Sequence, residues 1–312
     1  MFALRLVGVA LSVFILAYCA LSLAVSAGWN LTAKLWLSLT PSRSASFLLG
    51  LRLVPLAAAV AIAAVYAVPS FLILEPGHID EPLGPMLVLL AGVALAWLLI
   101  ATLRAVAAQR RTSRILARWV KEGKGLERGT SFPVLRLSTH DPVLTVAGIH
   151  APRVLVSETA VTILTSEELE AALRHEMAHI RRHDNLKKLL FRFASFPAMR
   201  GLESAWSEMS EMAADDAAIS SSSEALDLAA ALIKLSRFAP VQASCALTSA
   251  LLPGTTASLT ARVRRLFNWT DRRNRETAPY VLPVAVVIGL LAVLTYGPLL
   301  TGMHAMTEWL VR

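Results

Sequence analysis

The segment Arg174-His175-Glu176-Met177-Ala178-His179-Ile180 sets two imidazoles four residues apart, with a carboxylate directly after the first. On a helix such residues stand one above the other, about one turn apart. His175 and His179 can therefore grip a single zinc ion. Zinc takes imidazole nitrogen readily, and three protein ligands leave its fourth position open for water. Glu176 lies beside the first ligand, where its carboxylate can take a proton from that water. The competing plain reading is a surface helix carrying two unrelated histidines.

The flanking residues argue against the plain reading. Thr165-Ser166-Glu167-Glu168 has the form of a capping box, Thr165 paired with Glu168 three residues on. Leu169, Ala172, Leu173 and Met177 then recur at helical spacing. The pattern predicts a well-started amphipathic helix over 166–183. A third ligand must come from elsewhere. His183 extends the ladder but lies about 12 Å along the axis from His175, too far to share one ion. The segment Ser207-Glu208-Met209-Ser210-Glu211-Met212-Ala213-Ala214-Asp215-Asp216 is better suited, because Glu208, Glu211 and Asp215 fall on one face of a helix. One of these carboxylates can bind metal while another, a turn along, hydrogen-bonds a ligand imidazole. Spacing alone leaves Glu208 and Glu211 both open.

The elements that must position these groups belong to an unusually apolar chain. Of its 312 residues, 55% are hydrophobic and 17% charged, and the mean hydropathy is +0.58. These values point to membrane spans rather than an ordinary soluble domain. The net charge of +8 sits in clusters beside apolar runs, which favours membrane flanks over a nucleic-acid surface. No direct nucleic-acid binding is expected. Cys19 and Cys245 are far apart, with Cys19 inside an apolar run, so neither a disulfide nor a thiolate metal site is expected.

Four transmembrane helices are predicted, at 1–28, 47–74, 83–108 and 278–303, each long enough for ~30 Å of hydrocarbon. A basic juxtamembrane segment covers 109–129, a zinc-peptidase domain 130–275, and a tail 304–312. Runs at 134–137, 143–149 and 154–156 read as short strands, and 224–238 as a further amphipathic helix. An edge of the strands at 143–149 or 153–157 is a candidate for pairing with an extended substrate. The apolar stretch 186–202 reads as ordinary core or as a segment dipping into the bilayer interface. Basic residues flank the first loop and both sides of the domain, while 75–82 has none. The positive-inside rule then puts the domain in the cytoplasm and both termini outside, in a multi-pass protein of the inner (plasma) membrane. The apolar run 83–103 within the third span holds no charged residue, which disfavours a transporter.

At these residues the chain resembles the BlaR/MecR-type membrane metallopeptidases. The likeness runs from Val143 through His175-Glu176-Met177-Ala178-His179-Ile180-Arg181-Arg182-His183-Asp184 to Glu211-Met212-Ala213-Ala214-Asp215. The last element has the E-x-x-A-D form that this family shares with the HtpX and CaaX-protease families, whose Glu is the third zinc ligand. The resemblance implies that Glu211 ligates zinc, that Asp215 supports a ligand histidine, and that Asp184 fills a typical acidic position near the site. It also implies a mainly α membrane protein with a cytoplasmic α+β zincin-like (gluzincin) domain. HtpX-like proteins divide their spans differently and match less well. The antibiotic-sensing members carry a large extracellular penicillin-binding domain after the last span. The sequence ends at Arg312, so β-lactam sensing by this chain itself is not expected. A signal through a sensor partner or the bilayer is expected instead, acting on a cytoplasmic protein substrate such as a repressor. The alternatives are a signalling scaffold with a structural zinc and a quality-control protease.

Overall fold

In the computed structural model, residues 2–32, 40–75, 83–122, 124–126, 133–138, 144–238, 248–250, 256–269 and 296–308 are described. Three of the described helical segments are long and apolar enough to cross a membrane. Helix α1 is Phe2–Thr32. The second segment runs from Pro41 to Leu74 as α2 (Pro41–Ile62), a π-helical turn (Ala63–Ala67) and α3 (Val68–Leu74). The wide turn falls just before Pro69, which has no N–H to donate and whose ring would crowd the carbonyl four residues back. Helix α4 continues without a break through Pro85–Glu122, so the third span and much of the basic segment are one rod about 57 Å long. Residues 278–295 of the fourth expected span lie outside the described residues, and 296–308 are helical.

One face of α4, with Val88, Leu89, Leu95, Leu99 and Leu103, is exposed as a lipid-facing surface would be, while Leu87, Ala94 and Ala101 on the other are buried. Its basic half behaves differently. Leu116 and Trp119 there pack on Leu135, Leu137, Ala147 and Leu155 of a small sheet. The sheet has the order β1-β2-β4-β3-β5, formed by Lys124–Leu126, Val134–Leu137, Leu144–Ala147, Arg153–Ser157 and Thr248–Ala250. β2 and β4 are parallel, and the other neighbours antiparallel. The alternate residues Val134, Leu144, Val146, Val154 and Val156 face the main core. That core is closed by the short α5 (Glu158–Ile163), through Ala160, by α6 (Ser166–Arg181), through Leu169, Ala172 and Leu173, and by α9 (Ser222–Phe238), through Leu228 and Leu232. The edge of β3 is taken by β5, with Val146 opposite Ser249, while β4 lies inside the sheet. Neither strand presents a free edge to an extended peptide.

Between these helices lie α7 (Asp184–Phe193) and α8 (Arg200–Ala218). The stretch around them is the seam between the spans and the layer of helices and sheet beside them. Tyr18 of α1 donates to the Ala194 carbonyl at 2.9 Å, and Ser26 to that of Ala198 at 2.6 Å. Arg104 of α4 reaches Ser195 at 3.0 Å. Ala45 and Leu48 of α2 pack with Phe191, Leu202 and Trp206. Of the apolar residues between 186 and 202, then, Phe191, Met199 and Leu202 are core, whereas Leu186 and Leu190 are exposed.

Candidate metal centre

Helix α6 starts as its local sequence dictates. The Thr165 hydroxyl accepts from the Glu168 N–H at 3.3 Å, and the Glu168 carboxylate accepts from the Thr165 N–H at 2.9 Å. Lys234 of α9 pins the same carboxylate at 2.8 Å. So anchored, α6 buries His175, Glu176 and His179 together. The helix stops at Arg182, and His183 takes a left-handed conformation with φ 54°. That conformation, uncommon outside glycine but tolerated by His, reverses the chain at once. Asp184 can then lead α7 back beneath His179. Asn185 fixes the turn from the other side by donating to the Gly148 carbonyl at 3.0 Å.

The structure brings His175, His179 and Glu211 into one group whose ligand atoms all lie within 4.8 Å. The imidazole Nε2 atoms are 3.1 Å apart. Glu211 offers Oε2 at 3.4 Å from His175 and Oε1 at 3.5 Å from His179. A tetrahedron with ligand bonds of ~2.0–2.1 Å has edges of about 3.3–3.4 Å, so the donors stand at the spacing a zinc-sized ion requires. Glu208, one turn earlier on α8, is half-buried and outside this group. His183 is exposed.

Each imidazole is held from behind. The Nδ1 of His179 is 2.7 Å from Asp184, which also accepts from Ser210 at 2.7 Å and Lys187 at 2.9 Å. The Nδ1 of His175 is 3.0 Å from Asp215. With its proton on Nδ1, His179 donates to Asp184; the Asp215 contact holds Nδ1 of His175 at ion-pair distance, and both Nε2 atoms are left facing the shared space.

Electrostatics mark the same point. Burial disfavours charge on His179, but Glu211 and Asp184 outweigh it and raise the imidazole to about 9. Burial likewise opposes ionisation of Glu211, and the two histidines and Arg262 hold it well below the usual carboxylate range. Asp215, although buried, is drawn down to about 2 by Arg262 and His175. Glu176 goes the other way, because burial raises it to about 7. Both of its oxygens are buried without a hydrogen-bond partner among the described residues. A buried carboxylate left so is costly and fits a site completed by water. Lys188, one turn after Asp184, is lowered by burial against the opposing pull of Glu211, Asp184 and Glu176.

A family model described as BlaR1 peptidase M56 matches residues 83–266. The chain belongs to that family. The match takes in the third span, the sheet, and all the helices that carry this M56 site. M56 peptidases are metal-dependent, and the His175–His179–Glu211 group of this member could hold a metal ion. No curated protein matches the chain.

Sequence reasoning missed Arg262, which grips a carboxylate of this M56 site, and Lys188, a cation whose charge acts on it. Arg262 comes from α10 (Thr256–Phe267), 47 residues beyond Asp215, and grips that carboxylate. Its signal was available: Leu259, Val263 and Leu266 define an apolar stripe, and Arg262 falls within it. Lys188 gave no comparable signal, since it reads as one of two adjacent surface lysines.

Proposed function

We propose that the chain is a membrane-embedded zinc metalloendopeptidase that cleaves a cytoplasmic protein in a signalling pathway. The observation that carries this reading is Glu176, whose buried carboxylate has no hydrogen-bond partner among the described residues and stands beside three donors at zinc spacing. A structural zinc in a silent scaffold would not require that carboxylate.

His175, His179 and Glu211 would hold the ion. Zinc, when bound there, supplies Lewis acidity toward the scissile carbonyl and eases deprotonation of a water. Glu176 takes the proton of the attacking water and later delivers it to the leaving amide nitrogen. A value near 7 suits both halves of that task at neutral pH. Asp184 and Asp215 keep the imidazoles in one tautomer and orientation throughout. The His175, Glu176, His179 and Glu211 side chains are shielded from bulk solvent, which strengthens each of these interactions.

A cytoplasmic domain is supported by which span ends meet it. The C-terminal end of α1, the start of α2 and the basic end of α4 contact the catalytic layer. These are the ends flanked by Lys34, Arg43 and Arg104 to Lys121, whereas the loop at 76–82 at the other end of the spans has no basic residue.

The test is Glu176→Gln in the full chain reconstituted in lipid. Zinc measured by elemental analysis should stay at one per chain, while cleavage of a broad peptide library should fall by ~10²–10⁴. Undiminished cleavage by that variant would end the proposed mechanism.

A further inference from the structure

Arg262 is 1% exposed, and its guanidinium touches two carboxylates at once. Nε donates to Asp215 Oδ2 at 2.8 Å, and Nη2 to Asp215 Oδ1 at 2.7 Å. Nη1 lies 3.2 Å from Glu211 Oε2. A fork of this kind matches a carboxylate in a plane and leaves little rotational freedom. Asp215 Oδ1 is the atom 3.0 Å from His175 Nδ1, so the grip extends through Asp215 to a histidine of the ligand group. At Glu211 the contact engages Oε2, which also lies 3.4 Å from His175 Nε2, and leaves Oε1, facing His179, as the oxygen without the guanidinium on it.

We propose that Arg262 is a positioning residue of the metal site, fixing His175 through Asp215 and making Glu211 a one-oxygen ligand. This rests on the reading that His175, His179 and Glu211 bind the ion. A carboxylate free to swing can offer both oxygens and fill the position that water needs; a bridged one cannot. The site is therefore built from four helices, α6, α7, α8 and α10, and α10 belongs to it although none of its residues ligates. A buried ion pair adds little stability over well-packed apolar groups, so a positional role explains a cation here better than a stabilising one.

The experiment uses the full chain in lipid with Arg262→Met, which keeps the unbranched apolar stem of the side chain and removes the fork. Zinc affinity is read by chelator competition, and coordination number by the visible absorption of the cobalt(II)-loaded protein. The expected result is zinc binding weakened by about 10–100-fold and a cobalt band of reduced intensity, as four-coordination gives way to five. Arg265→Met is the comparison. It removes the neighbouring Arg265–Asp216 pair at 2.6 Å, which joins the same two helices, and both readouts should stay as in the parent chain. Equal effects from the two substitutions, or a parent-like band and affinity in Arg262→Met, would show that α10 only docks. Should Arg262→Met not fold, Arg262→Lys keeps the charge but cannot span both carboxylates. It should still lose band intensity, and a parent-like band would overturn the role. A parent chain that takes up neither metal would instead overturn the metal-site reading, and this role with it.

Discussion

Asp184→Asn removes one charge and no atoms of bulk from behind His179, which makes it a sharp probe of the site. In the native arrangement Asp184 Oδ2 accepts from His179 Nδ1 and Ser210, while Oδ1 accepts from Lys187. An asparagine has one oxygen for these three donors. If the oxygen turns to Lys187, the amide N–H faces His179, which must then accept at Nδ1 and carry its proton on Nε2, where the metal should bind. If the oxygen stays on His179, the N–H₂ confronts Lys187, whose side chain is 21% exposed and can retreat to water. The second arrangement is cheaper, but it forfeits the charge on a hydrogen bond whose two side chains are 1–2% exposed. Charge-assisted bonds of this kind are worth ~1.5–3 kcal/mol, which corresponds to about 10–100-fold in an equilibrium constant. Loss of a supporting partner behind a ligating histidine falls in the same range. Zinc affinity of Asp184→Asn, measured by chelator competition at neutral pH, should therefore drop by roughly 10–100-fold. An affinity within about twofold of the parent would refute the idea that Asp184 sets the state of His179.

The metal-free chain should lose thermal stability between pH 6 and pH 9. His179, raised to about 9 from 6.5, gives its full stabilisation below the lower value and loses it as pH rises through the upper. Glu176, raised to about 7 from 4.5, loses its share earlier, between pH 4.5 and about 7, and so adds to the decline only at the start of this range. A melting temperature that climbs over this range in chelator-treated protein would contradict the assignment, whereas zinc affinity should rise about tenfold per pH unit as the His179 proton is displaced. For orientation, Glu75→Cys and Lys121→Cys in a chain with Cys19 and Cys245 replaced by serine should differ in labelling by an impermeant thiol reagent. Position 75 should react in intact cells and position 121 only after permeabilisation; the opposite pattern would invert the proposed topology.

Features written in adjacent residues were legible in the sequence. The capping box at Thr165 and Glu168, the helix-spaced apolar stripe behind His175 and His179, and the strands around 134–137 and 154–156 need only local chemistry, and the fold shows each. The third carboxylate was harder. Glu208 and Glu211 lie close in angle around α8, and only the depth at which α8 docks against α6 separates them, a property of tertiary packing that spacing does not contain. The resemblance to known peptidases pointed to Glu211 before the geometry did. Arg262 and β5 depend on chain closures over long separations, from 215 to 262 and from 146 to 249. No local pattern announces such pairs, although a cation within an apolar stripe was a hint that α10 buries more than hydrocarbon.

The contact of α2 with α8 bears on where the enzyme begins. The family match starts at residue 83, yet Ala45 and Leu48, well before it, pack in one cluster with Phe191, Leu202 and Trp206. Trimming the chain to the matched residues would strip a wall from the helix that carries Glu211. Three large apolar side chains would be laid open, at ~1.5–3 kcal/mol each. That total approaches the ~5–15 kcal/mol by which a whole domain is stable. The anchor and the catalyst are thus a single folding unit, and a soluble descendant of this peptidase would have to grow a replacement for a piece of its own membrane span.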